Sequence, residues 1–275
     1  MTTQIYHQLF NLKGKTAIVT GGLGILGRRF CAGLAEFGAN VAVVDLDETQ
    51  SGSYASELTS RFGVDSLGVA CDISDEDSVI RMVSLVVEKL GPIHILLNNA
   101  ASKSEDLRAF FASFETYTLS EWRRVMSVNL DGMFLVAKAV GSQMISQGTG
   151  GSVIQTSSIY GIMSPDERIY EGSNYLNTTI NTPAVYSVSK AAVVGLSRYL
   201  ATHWAQYGIR VNTLTPGGVE SGQNETFKNK YSNRTPIGRM AKPDELVGAI
   251  IYLASDASSY VTGHNLIVDG GLHAW

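Results

Sequence analysis

Tyr186 and Lys190 stand four residues apart in the stretch Tyr186-Ser187-Val188-Ser189-Lys190. On a helix that spacing stacks a phenol and an ammonium on one face. A phenol ordinarily titrates near ~10, and a close positive charge favours its phenolate; bringing it near neutrality takes about three units, roughly 4 kcal/mol of differential interaction. Such a pair predicts proton exchange with a substrate oxygen. An amphipathic helix also carries Tyr and Lys at this spacing for packing and solvation alone, so the weight of the pair rests on the elements around it.

Near the N-terminus, Lys15-Thr16-Ala17-Ile18-Val19-Thr20 reads as a short strand that runs into Gly21-Gly22-Leu23-Gly24-Ile25-Leu26-Gly27 and then into a helical pattern from Arg28 to Phe37. Strand, glycine turn and helix form a phosphate-binding arrangement. Gly22, Gly24 and Gly27 satisfy G-x-G-x-x-G, in which missing Cβ atoms let backbone N–H groups approach a pyrophosphate at a helix N-terminus. A second strand, Asn40 to Val44, ends in Asp45, 18 positions after Gly27, where a carboxylate accepts hydrogen bonds from ribose hydroxyls. Asp47 is the expected helix cap. A carboxylate at Asp45 repels a 2′-phosphate, and neighbouring Leu23 and Leu46 supply no positive charge to offset it, so NAD is expected as cofactor in preference to NADP.

With these residues in place the chain resembles the short-chain dehydrogenase/reductase family from Lys15 to the C-terminus. The resemblance is carried by Thr20-Gly21 and the glycine turn, Asp72, Asn98-Asn99-Ala100-Ala101, Ser127-Val128-Asn129-Leu130, Ser157-Ser158, Tyr186-x-x-x-Lys190, Pro216-Gly217 and Val268-Asp269-Gly270-Gly271, all in the family's order. It implies a catalytic set of Asn129, Ser158, Tyr186 and Lys190. Tyr186 would be the acid/base, with Lys190 lowering its pKa and holding the nicotinamide ribose. Ser158, rather than Ser157, would bond the reacting oxygen, and Asn129 would anchor a water leading from Lys190 to solvent. The implied cofactor contacts are Gly21, Gly22, Gly24, Ile25, Gly27, Asp45, Asp72 and Ile73 (adenine), Asn98 and Ala100 (the passage to the nicotinamide), and Pro216, Gly217, Val219 and Ser221 (the carboxamide), together with Tyr186 and Lys190. Ile25 stands where many members of the family have glycine, which changes the expected shape of the turn.

Ser158 and Tyr186 lie 28 positions apart, more than the family usually allows. An insertion at about 162–184 is expected to form part of a substrate site. It holds Arg168, Tyr170, Glu171, Asn174, Tyr175, Asn177 and Asn181, a polar lining suited to a polyhydroxylated ligand, and a long connection without periodicity at this place reads as a lid. Tyr160, Tyr170 and Glu171 are the expected substrate contacts. The stretches Ser158-Ile159-Tyr160-Gly161 and Arg168-Ile169-Tyr170-Glu171-Gly172 look similar to family members of bacterial sugar and surface-glycan modification, nonulosonic-acid pathways included. The implied activity is NAD(H)-dependent interconversion of a secondary alcohol and a ketone on a carbohydrate-like molecule. A ketoacyl-thioester reductase is the alternative, against which Asp45 weighs; a non-catalytic NAD-binding protein is a third reading, against which the full catalytic set weighs.

The chain has 275 residues, 44% of them hydrophobic, and alternating strand and helix signals without a low-complexity break. These features predict one domain over 1–275, an α/β Rossmann fold whose doubly wound parallel sheet carries helices on both faces. Val41–Val44, Ile93–Leu97, Val153–Thr156 and Ile209–Leu214 are the apolar runs of strands covered on both sides, with helices over Asp75–Lys89 and Glu121–Ile145. A net charge of −4 without a basic cluster argues against nucleic acid, and no leader or membrane span is expected. Cys31 and Cys71 fall in core elements as thiols, which fits a cytoplasmic protein, and the five scattered histidines show no metal-ligand spacing. The resemblance implies a homo-oligomer, tetramer or dimer, built through the helices at Glu121–Ile145 and Ala184–Tyr207.

Overall fold

Short runs of β-branched and aliphatic residues become parallel strands because both of their faces can be buried under helices. The computed structural model describes residues 6–104, 106–175 and 178–275. In chain order the elements are β1 (Thr16–Thr20), α1 (Ile25–Glu36), β2 (Asn40–Asp45), α2 (Glu48–Phe62), β3 (Ser66–Ala70), α3 (Glu76–Leu90), β4 (Ile95–Asn98), α4 (Leu107–Phe110), α5 (Leu119–Met126), α6 (Met133–Gln147) and β5 (Gly151–Thr156). After these come β6 (Asn174–Tyr175), β7 (Thr178–Thr179), α7 (Ala184–Trp204), β8 (Ile209–Pro216), α8 (Glu225–Ser232), α9 (Val247–Ala254) and β9 (Asn265–Val268). Seven strands form one parallel sheet in the order β3-β2-β1-β4-β5-β8-β9, with β6 and β7 a separate antiparallel pair. The chain order reverses between β1 and β4, the switch point where open α/β sheets bind ligands at the carboxyl ends of their strands.

Strand alternation divides the interior into two cores. Ala17, Val19, Val41, Val43, Ile95, Leu97, Ile154 and Leu214 face Phe30, Leu34 and the α9 residues Ile250 and Ile251. On the other face Ile18, Ala42, Val44, Leu96, Val153 and Val211 meet Val79, Met82, Val136, Val140 and Trp204. Asp47 caps α2 by accepting from Gln50 N at 2.9 Å, and Asp75 caps α3. The helix expected over Glu121–Ile145 is in fact two, α5 and α6, joined by the π-helical segment Ser127–Gly132. Among the described residues no helix is long and apolar enough to cross a membrane.

The stretch 166–171 packs beside α8. Ile169 and Tyr170 pack with Phe227, Tyr231 and Met240 in a third, smaller cluster, with the Tyr170 and Phe227 ring centroids 5.5 Å apart. Polar links reinforce the contact: Arg234 pairs with Asp166 at 2.9 Å, and Lys230 Nζ donates to the carbonyls of Arg168 at 3.0 Å and Glu171 at 2.8 Å.

Candidate active site

The glycine turn is shaped by what it cannot carry. Gly21 has φ +65°, and a Cβ there would lie 2.9 Å from Ala100 Cα; at Gly27 it would lie 2.0 Å from Gly21 O. Glycine at these two positions lets β1, the turn and α1 close on one another. Gly24 is the N-cap of α1 and offers no side-chain cap, so the first turn of that helix keeps N–H groups for an anion. At the end of β2 the Asp45 carboxylate accepts from Leu23 N at 2.9 Å and Leu46 N at 2.8 Å, which fixes it beside the turn. These features fit the pyrophosphate and ribose of a nicotinamide dinucleotide. Ile25 opens α1 with its side chain exposed, and Gly22 holds the turn to β2 through Gly22 N to Val44 O at 3.0 Å. Arg28, which the sequence did not single out, lies at the same place: its Nε donates to Leu23 O at 3.1 Å and its guanidinium sits 4.6 Å above the Tyr54 ring.

At the end of β5 the two serines part. Ser157 Oγ donates to Lys190 O at 2.7 Å and so ties the strand to α7. Ser158 lines the same cavity as Tyr186, and its Oγ accepts from Tyr160 N at 3.3 Å. One turn beyond Tyr186, Lys190 is 3% exposed; its Nζ donates to Thr156 O at 3.0 Å and lies 6.0 Å from the Tyr186 ring centroid. Burial lowers the Lys190 pKa to about 8. The expectation that Lys190 pulls Tyr186 below the ordinary phenol range needs correction. Burial raises Tyr186, neighbouring Ser158 acts in the opposite direction, and the ammonium bonds to the Thr156 carbonyl rather than to the phenol oxygen.

Asn129 is fully buried in the π-helical segment, where a widened turn disturbs the usual backbone pairing. Its Oδ1 accepts from Ser102 N at 2.7 Å, and its Nδ2 has no hydrogen-bond partner among the described residues. The pair Asn98-Asn99 corrects another expectation. Asn98 has no exposed surface; its Oδ1 accepts from Thr20 Oγ1 at 3.2 Å and its Nδ2 donates to Met133 O at 2.8 Å, so this side chain belongs to the core. Asn99, one residue on, lines the cavity, its Nδ2 donating to Thr20 O at 3.2 Å. Ala100 N also donates to Thr20 Oγ1, at 3.1 Å. Asp72 lies exposed with its Oδ1 accepting from Ser74 N and Oγ, while Ile73 is 4% exposed and packs on Gly132.

Ser158, Tyr186 and Lys190 form one wall of a cavity of about 390 Å³ that reaches Leu26 on α1 and the β8 end at Pro216, Gly217, Val219 and Ser221. Tyr160 and Tyr170 line it, and the Tyr170 hydroxyl shares a hydrogen bond with Thr182 Oγ1. Glu171 does not. Its exposed carboxylate lies 3.4 Å from Lys230 Nζ on the outer side of the connection. The polar lining expected from 162–184 is also thinner than its composition implied: Asn174, Asn181 and Thr182 reach the cavity, but rings from Phe110, Phe111, Phe227 and Tyr231 cover much of it. Arg168 faces outward onto Asp166, and Asn177 and the Tyr175 side chain lie outside the described residues.

A glycine turn at the switch point, a Ser–Tyr–Lys wall and the Asn129 segment on one sheet are the family pattern in three dimensions. The family described as enoyl-(acyl carrier protein) reductase matches residues 24–273. D-arabinitol 2-dehydrogenase (ribulose-forming) of Scheffersomyces stipitis is 36% identical over 290 residues, covering 97% of this chain and 96% of that protein. The chain belongs to the short-chain dehydrogenase/reductase family. As in other members of this oxidoreductase family, similarity runs through the whole chain: the sorbose reductase sou1 of Schizosaccharomyces pombe is 35% identical, over 96% of this chain and 97% of its own. A gluconate 5-dehydrogenase from Burkholderia cenocepacia J2315, solved with NADP and tartrate, superposes with a TM-score of 0.86 at 33% identity over 98% of this chain and all of that one.

Proposed function

We propose that this short-chain dehydrogenase/reductase interconverts a secondary alcohol and a ketone on a polyhydroxylated, carbohydrate-like molecule, with NAD(H) as the preferred cofactor. Ser158, Tyr186 and Lys190 meeting in the wall of one cavity that reaches Leu26 in the glycine turn carry the reading. When bound, the nicotinamide dinucleotide supplies or takes up the hydride. Gly21, Gly22, Gly24, Ile25 and Gly27 would hold its pyrophosphate, Asp45 its ribose hydroxyls, Asp72 and Ile73 its adenine side, and Ala100, Pro216, Gly217, Val219 and Ser221 its nicotinamide end.

In ketone reduction the Tyr186 hydroxyl gives its proton to the substrate oxygen, and in alcohol oxidation the phenolate takes that proton back. Ser158 holds the same oxygen by a second hydrogen bond and so fixes the direction of proton transfer. Lys190, anchored on Thr156 O, places positive charge near the phenol as its oxygen gains negative charge. Asn129 Nδ2, a buried donor without a partner among the described residues, supports a role in holding the water that returns the proton to Tyr186.

Relatives named for alditols and ketoses support the substrate class, and the Asn99, Asn174 and Asn181 amides with the Tyr160 and Tyr170 hydroxyls suit hydroxyl-bearing ligands. Asp45 supports NAD, because its fixed carboxylate stands where a 2′-phosphate would be repelled. Exposed Phe134 on α6 and Val188 and Tyr199 on α7 support association of several copies, which light scattering at micromolar protein checks. The buried thiols of Cys31 and Cys71 support a reducing cytoplasmic setting. The functional test is a kinetic screen of alditols, ketoses, amino sugars, steroids and acyl thioesters with both reduced and both oxidised cofactors. Turnover of polyhydroxylated substrates with NAD(H) is the expected result; turnover of steroids or thioesters alone overturns the reading.

A further inference from the structure

After β8 the chain leaves the sheet through Gly217-Gly218-Val219-Glu220-Ser221. Two backbone bonds tie this loop to one distant residue: Ala241 N donates to Gly218 O at 2.9 Å, and Glu220 N to Ala241 O at 2.9 Å. Gly218 N is held differently, by a side chain. It donates to the Tyr231 hydroxyl oxygen at 2.5 Å. The ring lies against bare backbone there, since a Cβ on Gly218 would stand 2.5 Å from Tyr231 Cζ. Tyr231, in the last turn of α8, is 3% exposed and lines the cavity; burial pushes its phenol up to about 12, so it stays protonated at neutral pH. Its own place is fixed in turn. Thr235 Oγ1 donates to Tyr231 O at 3.1 Å, and the Tyr231 ring centroid lies 5.8 Å from that of Phe227, which packs on Tyr170. The Tyr170 hydroxyl bonds Thr182 Oγ1, next to Pro183, the N-cap of the helix that carries Tyr186. A line of packed rings thus joins the β8 loop to the start of α7 along one cavity wall.

We infer that Tyr231 is a positioning residue for the nicotinamide end of the cofactor: by holding Gly218 N it sets the backbone of residues 217–221, and the Phe227 and Tyr170 rings keep it in register with Tyr186. This rests on the proposed placement of the nicotinamide at Pro216, Gly217, Val219 and Ser221. The glycine turn, Asp45 and Asp72 belong to other segments of the chain, so a loosened 217–221 loop affects one end of the dinucleotide and spares the other. Hydride transfer is sensitive to small displacements of the reacting groups, which makes a second tie on this loop consequential.

Tyr231→Phe keeps the ring and removes the acceptor of Gly218 N. Calorimetric titration of the full-length wild type and variant with NADH, and with ADP-ribose, which lacks the nicotinamide, gives the comparison. The Kd for NADH is expected to rise about 5- to 20-fold in the variant, as loss of one buried hydrogen bond implies, while the Kd for ADP-ribose stays within about twofold. Where Tyr231→Phe fails to fold, Gly218→Ala, which drives a methyl into the same ring, takes its place under the same comparison and should show the same split. Unchanged NADH affinity in the folded variant, whatever its Tm, overturns the inference and leaves Tyr231 a core residue only. Equal weakening of NADH and ADP-ribose overturns it too, because the damage then reaches the whole cleft. Wild-type enzyme that binds ADP-ribose as tightly as NADH removes the placement of the nicotinamide at this loop, and the inference with it.

Discussion

Replacing Lys190 by Met should change how stability responds to pH, and the size of the change can be worked out from the burial of one ammonium. Lys190 titrates at about 8 in the fold against 10.5 in an unfolded chain. Its folded-state pKa is depressed, so the unfolded chain holds the proton more tightly. The resulting penalty on the fold is fully present below pH 8 and is relieved as pH rises towards 10.5. Linkage puts it at about 3 kcal/mol at pH 7 and about 1 kcal/mol at pH 10, so wild-type stability relative to Lys190→Met should rise by about 2.5 kcal/mol over that interval. Loss of the Nζ to Thr156 O bond shifts the variant by an amount that does not depend on pH. Phenols and thiols whose pKa values burial raises, Tyr54, Tyr231 and Cys31 among them, destabilise both proteins at high pH and cancel in the difference. Urea unfolding at fixed ionic strength, at half-unit steps from pH 7 to 10, gives the comparison. A difference that changes by less than about 0.5 kcal/mol over that range would refute the buried, charged lysine on which this estimate depends.

Tyr186→Phe keeps the ring and removes the proton, so turnover should fall by about 10²- to 10⁴-fold while the NADH Kd from fluorescence titration stays within about threefold; equal loss of both contradicts the acid/base role. Asp45→Asn removes the charge opposed to a 2′-phosphate and leaves Arg28 nearby, so the NADPH/NADH ratio of kcat/KM should rise at least about tenfold, and an unchanged ratio counts against Asp45 as the discriminating group. Gly27→Ala places a methyl 2.0 Å from Gly21 O, a backbone atom that cannot swing aside. It should cost about 1–3 kcal/mol in thermal or urea unfolding and weaken NAD binding, and wild-type values for both would show that the turn is not tightly closed.

Local signals were legible where one residue type answers one physical need. Only glycine closes the turn at Gly21 and Gly27, and a helix of known period sets Tyr186 and Lys190 on one face. Asn98 and Asn99 show the limit: alternation at a strand end sends one side chain into the core and its neighbour to the cavity, and parity is hard to assign where β4 stops. The expected polar lining from 162–184 failed for a related reason. Asp166, Arg168 and Glu171 find partners on the surface, while Tyr170 turns inward against Phe227, a contact between residues far apart in the chain. Nothing in Ser127–Gly132 announced a π-helical turn, because the helical period on either side of it is unbroken.

The brace between the 166–171 stretch and α8 has a consequence for traffic through the enzyme. Its links from Arg234 to Asp166 and from Lys230 to Glu171 are ionic, whereas its inner link is the tilted pair of Tyr170 and Phe227 rings. Dissolved salt weakens the former and spares the latter. Entry and exit beneath α8 should therefore quicken in brine, while proton transfer between Tyr186 and the reacting oxygen, deeper inside, proceeds at its own pace.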